Sequence, residues 1–274
     1  GAGFGVKYLF DEVPGDVDPL GPANKLIFAP GPLSGTPAPC ASRMAVTTKS
    51  PLTGAVGMSL SGGYFPVELK FAGYDVLIIE GQSETPVYLH IKDDKVVIKN
   101  AAKLWGMDTQ ITQTIIKQDV NDQNTRIACI GQAGENQSKM AAIINERRAF
   151  GRKGVGAVMG SKNLKAIAIR GSQQVPLANP EAFETARKFM LGAMKQSPVL
   201  YPEFRGKGYW KDARELLLER IFKERFFTEE NGRRVPYRID RVEIVLYQKP
   251  RDIARSTEGK LLFRDLKPYL QIFG

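Results

Sequence analysis

Residues 128–171 read ACIGQAGENQSKMAAIINERRAFGRKGVGAVMGSKNLKAIAIRG, and the succession of elements in this stretch decides what kind of fold the chain adopts. Its first residues finish a short strand-like run, Thr125–Ile130, halted by Gly131; Ala166–Arg170 form a second such run before Gly171. Between them a helix is expected from Gln137 to Arg148. Then comes a loop in which Gly151, Gly154, Gly156 and Gly160 are interleaved with Arg148, Arg152, Lys153, Lys162 and Lys165. Glycines let backbone N–H groups approach a ligand closely, and neighbouring arginines grip phosphate with forked hydrogen bonds. Arg148–Gly156 therefore reads either as a set of tight turns or as an anion site. Known nucleotide loops do not fit. A P-loop needs Gly-Lys followed by Ser or Thr, whereas Gly160-Ser161-Lys162 has the wrong order. The dinucleotide fingerprint has the reverse glycine spacing and opens a helix, while this loop is read as leading towards a strand.

Upstream, the strand-like runs Lys25–Ala29 and Tyr74–Glu80 flank a Gly-, Pro-, Ser- and Thr-rich stretch, Pro30 to Gly63, that interrupts any helix, and a further run, Met44–Thr48, sits within it. An ordered, loop-rich part of a sheet domain is the reading, and such loops often carry function. Pro86–Lys92 and Lys95–Lys99, separated by Asp93-Asp94, read as a hairpin with His90 as an ordinary strand residue. Asp108 caps a helix to about Asp119, with Ile111, Ile115 and Ile116 on its apolar face. Asn179-Pro180-Glu181 opens another helix, to about Lys195. Beyond Arg205, Lys211–Phe227 has a strong amphipathic helical pattern, and Val242–Tyr247 reads as a strand after an Asn231-Gly232 turn.

Composition narrows the chemistry. The 274 residues are 43% hydrophobic and 25% charged, as in a globular chain that buries a core. No uncharged stretch approaches the ~20 apolar residues of a membrane span, and no signal peptide is visible. One histidine, His90, excludes multi-histidine metal centres; two cysteines, Cys40 and Cys129, cannot supply the usual four thiolates of an iron–sulfur cluster. The net charge of +10 is concentrated in residues 205–274, with 17 Lys and Arg against 11 Asp and Glu. Mixed charge of that kind marks a solvated face, with nucleic-acid binding by the basic tail as the alternative.

Three long segments now carry a resemblance: PLGPANKLIFAPGPLSGTPAPCASRMAVTTKSPLTGAVG from Pro19, SGGYFPVELKFAGYDVLIIEG from Ser61, and the stretch 128–171. In this order they resemble the N-terminal domain of the aldehyde ferredoxin oxidoreductases, over about residues 1–204, leaving 205–274 as an unassigned tail. The resemblance implies an α+β fold: two β-sheets with flanking helices forming a saddle for two pterins joined through one tungsten or molybdenum atom. It implies oxidation of aldehydes to carboxylic acids, with electrons passing through an iron–sulfur cluster to ferredoxin or another redox partner. A cytoplasmic location and a companion subunit or homo-oligomer, without a membrane, go with it.

Matched motif by motif, the family's tungstopterin contacts fall on Arg43, Gly62, Arg148, Ala149, Gly151 and Arg152. Leu60 stands where the family has Asn. Relatives hold their cluster cysteines in later, largely helical domains, so no cluster ligand and no catalytic acid or base is assigned here. A non-catalytic cofactor-binding or assembly subunit is the alternative function.

Overall fold

The computed structural model describes residues 1–196 and the paired strands 227–230 and 233–236. The chain divides into two compact units, Gly1–Arg187 and Lys188–Gly274. The first unit opens with helix α1 (Ala2–Glu12) and contains two sheets. One is wholly antiparallel, made of β1 (Leu26–Pro30), β2 (Arg43–Lys49), β3 (Val56–Gly62) and β4 (Leu77–Ile79) in the order β3-β2-β1-β4. Helix α2 (Phe65–Phe71) connects β3 to β4.

The second sheet has six strands: β5 (Val87–Lys92), β6 (Lys95–Asn100), β7 (Arg126–Cys129), β8 (Ile143–Asn145), β9 (Arg148–Phe150) and β10 (Leu164–Arg170). Their order is β6-β5-β10-β7-β8-β9, and only β5 and β10 run parallel. Helix α3 (Thr109–Asp119) joins β6 to β7, α4 (Gln132–Glu135) joins β7 to β8, and α5 (Val155–Ser161) joins β9 to β10. Helix α6 (Pro180–Gln196) follows, capped as expected by Asn179, whose side-chain oxygen accepts from the Ala182 N–H at 2.9 Å. In the second unit β11 (Phe227–Glu230) pairs antiparallel with β12 (Arg233–Pro236). The expected helix Lys211–Phe227, the Asn231-Gly232 turn and the expected strand Val242–Tyr247 lie outside the described residues, apart from Phe227 in β11.

Period-2 burial explains why β10 is central. Ile167 and Ile169 enter the larger core with Phe28, Val46, Ile91, Phe65 of α2 and Val158 of α5; Ala166 and Ala168 face the smaller core with Tyr88, Ile127 and Ile116 of α3. The larger core is shared by both sheets. A strand buried on both faces reads as one unbroken apolar run, as Ala166–Ile169 does.

Three sequence expectations are corrected. The helix expected over Gln137–Arg148 is replaced by the β8–β9 hairpin, turning at Glu146 and Arg147. β-Branched Ile143 and Ile144 extend the sheet so that Ile143 enters its core, and this packing overrides the local helix propensity of Ala, Glu and Arg. The glycine loop leads first into α5, not directly into a strand. On α3 the buried pair is Thr112 and Ile116, four residues apart, while Ile111 is half-exposed. The Asp108 cap is as expected, accepting from the N–H groups of Gln110 and Ile111 at 2.8 Å each.

Lys165, on the central strand, is 0% exposed and ion-pairs with Glu135 of α4. Its ammonium also donates to the Met107 carbonyl at 2.8 Å, and the second Glu135 oxygen accepts from the Gly106 N–H at 2.8 Å. Removing one partner of such a pair strands a buried charge. Glu135→Ala is expected to lower unfolding free energy by ~3–5 kcal/mol in denaturant titration. Restoring apolar volume on both sides, in Glu135→Leu with Lys165→Met, is expected to recover part of that loss.

Candidate functional site

The outer strand β3 of the first sheet lies against the outer strand β9 of the second, and no ladder of backbone bonds joins them. Side chains stitch the seam instead. Asn145 donates from Nδ2 to the Gly62 carbonyl at 3.2 Å, the Arg152 N–H donates to Ser59 Oγ at 3.1 Å, and Ser50 Oγ donates to the Lys153 carbonyl at 2.9 Å. Two adjoining clefts open along this seam. The larger, about 680 Å³, is bordered by Arg43, Leu60, Gly62, Tyr64, Arg148 and Ala149 among others. The smaller, about 390 Å³, shares Leu60 and Ala149 and adds Met58, Ser59, Gly151 and Arg152. All seven residues singled out from the sequence therefore border one cleft or both.

The strand β3 is inside out. Val56, Met58 and Leu60 are exposed while Ser59 and Ser61 are buried. A strand that turns its apolar residues towards a cleft and its hydroxyls inwards presents a surface suited to being covered. Leu60 is 53% exposed, so it is not packed into an apolar patch.

Glycine has two separate uses. Gly62 and Gly63 make room: a methyl group on Gly62 meets the Ser42 carbonyl at 2.9 Å, and one on Gly63, at φ +101°, meets the Arg148 guanidinium at 3.1 Å. Gly151 is open towards the cleft, with nothing nearer to an added methyl than the Ala149 side chain at 3.8 Å. By contrast Gly154, Gly156 and Gly160 are buried where α5 packs closely on chain around α4, and a methyl on Gly154 or Gly156 meets a carbonyl oxygen at 2.5 Å. The two readings of the loop thus divide, with Arg148–Arg152 on the clefts and Gly154–Gly160 serving packing. Lys162 turns inwards too, donating to the carbonyls of Pro22, Asn24 and Gly81 at 3.3, 2.5 and 2.9 Å.

Arg43, Arg148 and Arg152 are exposed, and among the described residues no carboxylate pairs with them. Among the described residues the Ser61 Oγ, buried behind the larger cleft, has no hydrogen-bond partner, and neither has Asn145 Oδ1 at the seam. Unpaired guanidinium groups from both sheets and an open glycine between them fit an anionic ligand. Among the described residues no three His, Cys, Asp or Glu side chains group to hold a metal ion. His90 is remote from the clefts' lining; burial and the neighbouring Lys99 and Lys92 charges hold its imidazole below the usual range. Residue-by-residue reading missed Tyr64, Ser42, Ser61 and Cys40, all on the larger cleft. Tyr64 directly follows the Gly62-Gly63 pair, and that adjacency is the signal that points to it.

Residues 1–171 match the family described as aldehyde ferredoxin oxidoreductase, N-terminal domain. The tungsten-containing aldehyde ferredoxin oxidoreductase of Pyrococcus abyssi is 51% identical over 198 residues, which are 72% of this chain and 33% of that protein. The aliphatic sulfonate oxidoreductase, WOR-like subunit, of Pyrococcus furiosus is 37% identical over 193 residues, 64% of this chain and 30% of that protein. A solved structure, the active site complex BamBC of benzoyl coenzyme A reductase in complex with 1,5-dienoyl-CoA, superposes with a TM-score of 0.71 at 35% identity. It covers 84% of this chain and 41% of the other. The chain spans about a third of the length of the curated relatives it matches.

The two thiols differ sharply. Cys40 is exposed at the larger cleft, whereas Cys129 is buried and burial pushes its thiol up to about 12. Because the thiolate is the reactive form, iodoacetamide at pH 8 is expected to label Cys40 in the folded protein and Cys129 only after denaturation. Peptide mass spectrometry reads the two sites separately; equal native labelling contradicts the expectation.

Proposed function

The chain belongs to the family of aldehyde ferredoxin oxidoreductase N-terminal domains, and from that premise we propose that its seam is the saddle for a bis-pterin cofactor carrying tungsten or molybdenum. The observation that carries the reading is the set of three unpaired arginines, Arg43 from one sheet and Arg148 and Arg152 from the strand and loop of the other, around two adjoining clefts. Their guanidinium groups neutralise and orient phosphate and pterin edges. Gly62 and Gly151 allow backbone approach, and Ala149 lies between the clefts.

When bound, the cofactor supplies two-electron redox chemistry at its metal, and the protein's part is to bind, orient and tune it. In this reading the domain serves an oxidoreductase that converts aldehydes to carboxylic acids and passes electrons through an iron–sulfur cluster to ferredoxin. The cluster ligands and the rest of the substrate cavity then come from outside these 274 residues, in a companion subunit or further domain, and the assembly works in the cytoplasm. No helix of the described residues is long and apolar enough to cross a membrane.

Protein from cells supplied with tungstate is expected to retain pterin and metal. Arg148→Ala with Arg152→Ala is expected to lower retention more than tenfold, since charge-assisted bonds contribute ~1.5–3 kcal/mol each. Lys92→Ala with Lys95→Ala, two exposed cations at the far edge of the same sheet, removes equal charge and is expected to leave retention unchanged. Equal loss from both pairs overturns the site.

Leu60 supplies a second test. It is half-exposed, so an amide there is not buried without a partner. Leu60→Asn is expected to leave the thermal midpoint of the cofactor-free protein unmoved and to tighten pterin binding, by ~0.5–1.5 kcal/mol for one added neutral hydrogen bond. A lower midpoint with no gain in pterin counts against the reading.

A further inference from the structure

Tyr64 is 60% exposed at the larger cleft, and among the described residues its hydroxyl has no hydrogen-bond partner. It occupies the N-cap position of α2 directly after the Gly62-Gly63 pair, without a side-chain capping bond, and borders the same cleft as Arg148. One face of its ring is occupied. The Arg126 guanidinium, reaching from β7, lies 4.8 Å from the ring centroid. Arg126 is itself tied down, its Nη1 donating to Glu146 Oε1 at 2.5 Å, with both side chains only 26% and 20% exposed. Glu146 sits in the β8–β9 turn at φ +53°. The ring is therefore stacked from behind by an anchored cation while its remaining surface stays open.

We infer that Tyr64 is a ligand-contacting residue of the larger cleft, a flat platform for a planar heterocycle such as a pterin ring, and that Arg126 is the positioning residue that holds the platform in place. The inference rests on the proposed cofactor reading and adds to it the residue that recognises the ring as opposed to the phosphate. The physical reason is a division of labour. Unpaired arginines attract anionic groups without regard to what those groups are attached to, whereas an open aromatic face gains only when another flat surface covers it. The cation behind the ring limits its swing, so less ordering remains to be done on binding. Because stacking needs the ring and not the hydroxyl, Phe replaces Tyr at this position and Ala does not.

The test uses the full chain and two probes: 6-hydroxymethylpterin, which has a ring but no phosphate or metal, followed by fluorescence quenching, and inorganic pyrophosphate, which has charge but no ring, followed by calorimetry. Tyr64→Ala is expected to weaken the pterin about tenfold while leaving pyrophosphate within about twofold; Tyr64→Phe is expected to keep both. Arg126→Met is expected to weaken the pterin about threefold and leave pyrophosphate unchanged, with Arg126→Lys restoring part of the loss. A purely structural role for either residue moves both probes together and overturns the inference, as does undiminished pterin binding in Tyr64→Ala. Wild-type protein that binds pyrophosphate but not the pterin overturns the platform and leaves the arginine site standing. Wild-type protein that binds neither overturns the cofactor reading, and the platform with it.

Discussion

Phe28, on β1, meets Phe65 of α2 with ring centroids 6.3 Å apart and Phe150 of β9 at 6.0 Å, both edge to face. One side chain thereby fixes the first sheet, the helix after β3 and the last strand of the second sheet against each other. Edge-to-face packing is directional, so it sets angle as well as distance. The position of β9 against β3 follows from it, and with that the seam. With the rings packed in this way, Arg43 of the first sheet and Arg148 of the second border a common cleft. The seam bonds from Asn145, Ser59 and Ser50 then hold a register that the aromatic contact has already placed.

The seam explains why this surface carries so much unspent chemistry. Outer strands usually end in pairing, charge or cover. Here two outer strands are brought together without a backbone ladder, and the space between them is filled partly by side chains and partly left open. The result is an inside-out β3 and, among the described residues, three arginines without acids and a serine hydroxyl without a partner. Each is unfavourable or neutral for a domain standing alone. The open arginines suit an anionic ligand, and such local conflicts concentrate where a fold serves function.

Much of the secondary structure was legible locally. Capping residues announced α3 and α6, because Asp108 and Asn179 satisfy N–H groups that every helix start leaves open. The Pro86–Lys99 hairpin was legible from its β-rich runs around two aspartates. The β8–β9 hairpin was not legible, because Ala, Glu and Arg locally favour helix and only the six-stranded sheet rewards Ile143 for being in a strand. The loop glycines were ambiguous for the same reason. Gly151 and Gly154 look alike in sequence, yet one faces a cleft and the other faces the Lys139 carbonyl.

The sequence by itself determined the family resemblance, the identities of the cleft residues matched to its motifs, and the exclusion of a histidine or four-cysteine metal centre within these residues. Those conclusions depend on which side chains exist and in what order, and on nothing else. Only the tertiary structure decided that Arg43 and Arg148, 105 positions apart, border one cleft, that Leu60 is open to it, and that Tyr64 stands on Arg126. These depend on where two separate sheets meet, and that meeting is set by packing among residues distant in the chain. Local sequence encodes the strands; the shared core alone selects which of their edges face each other.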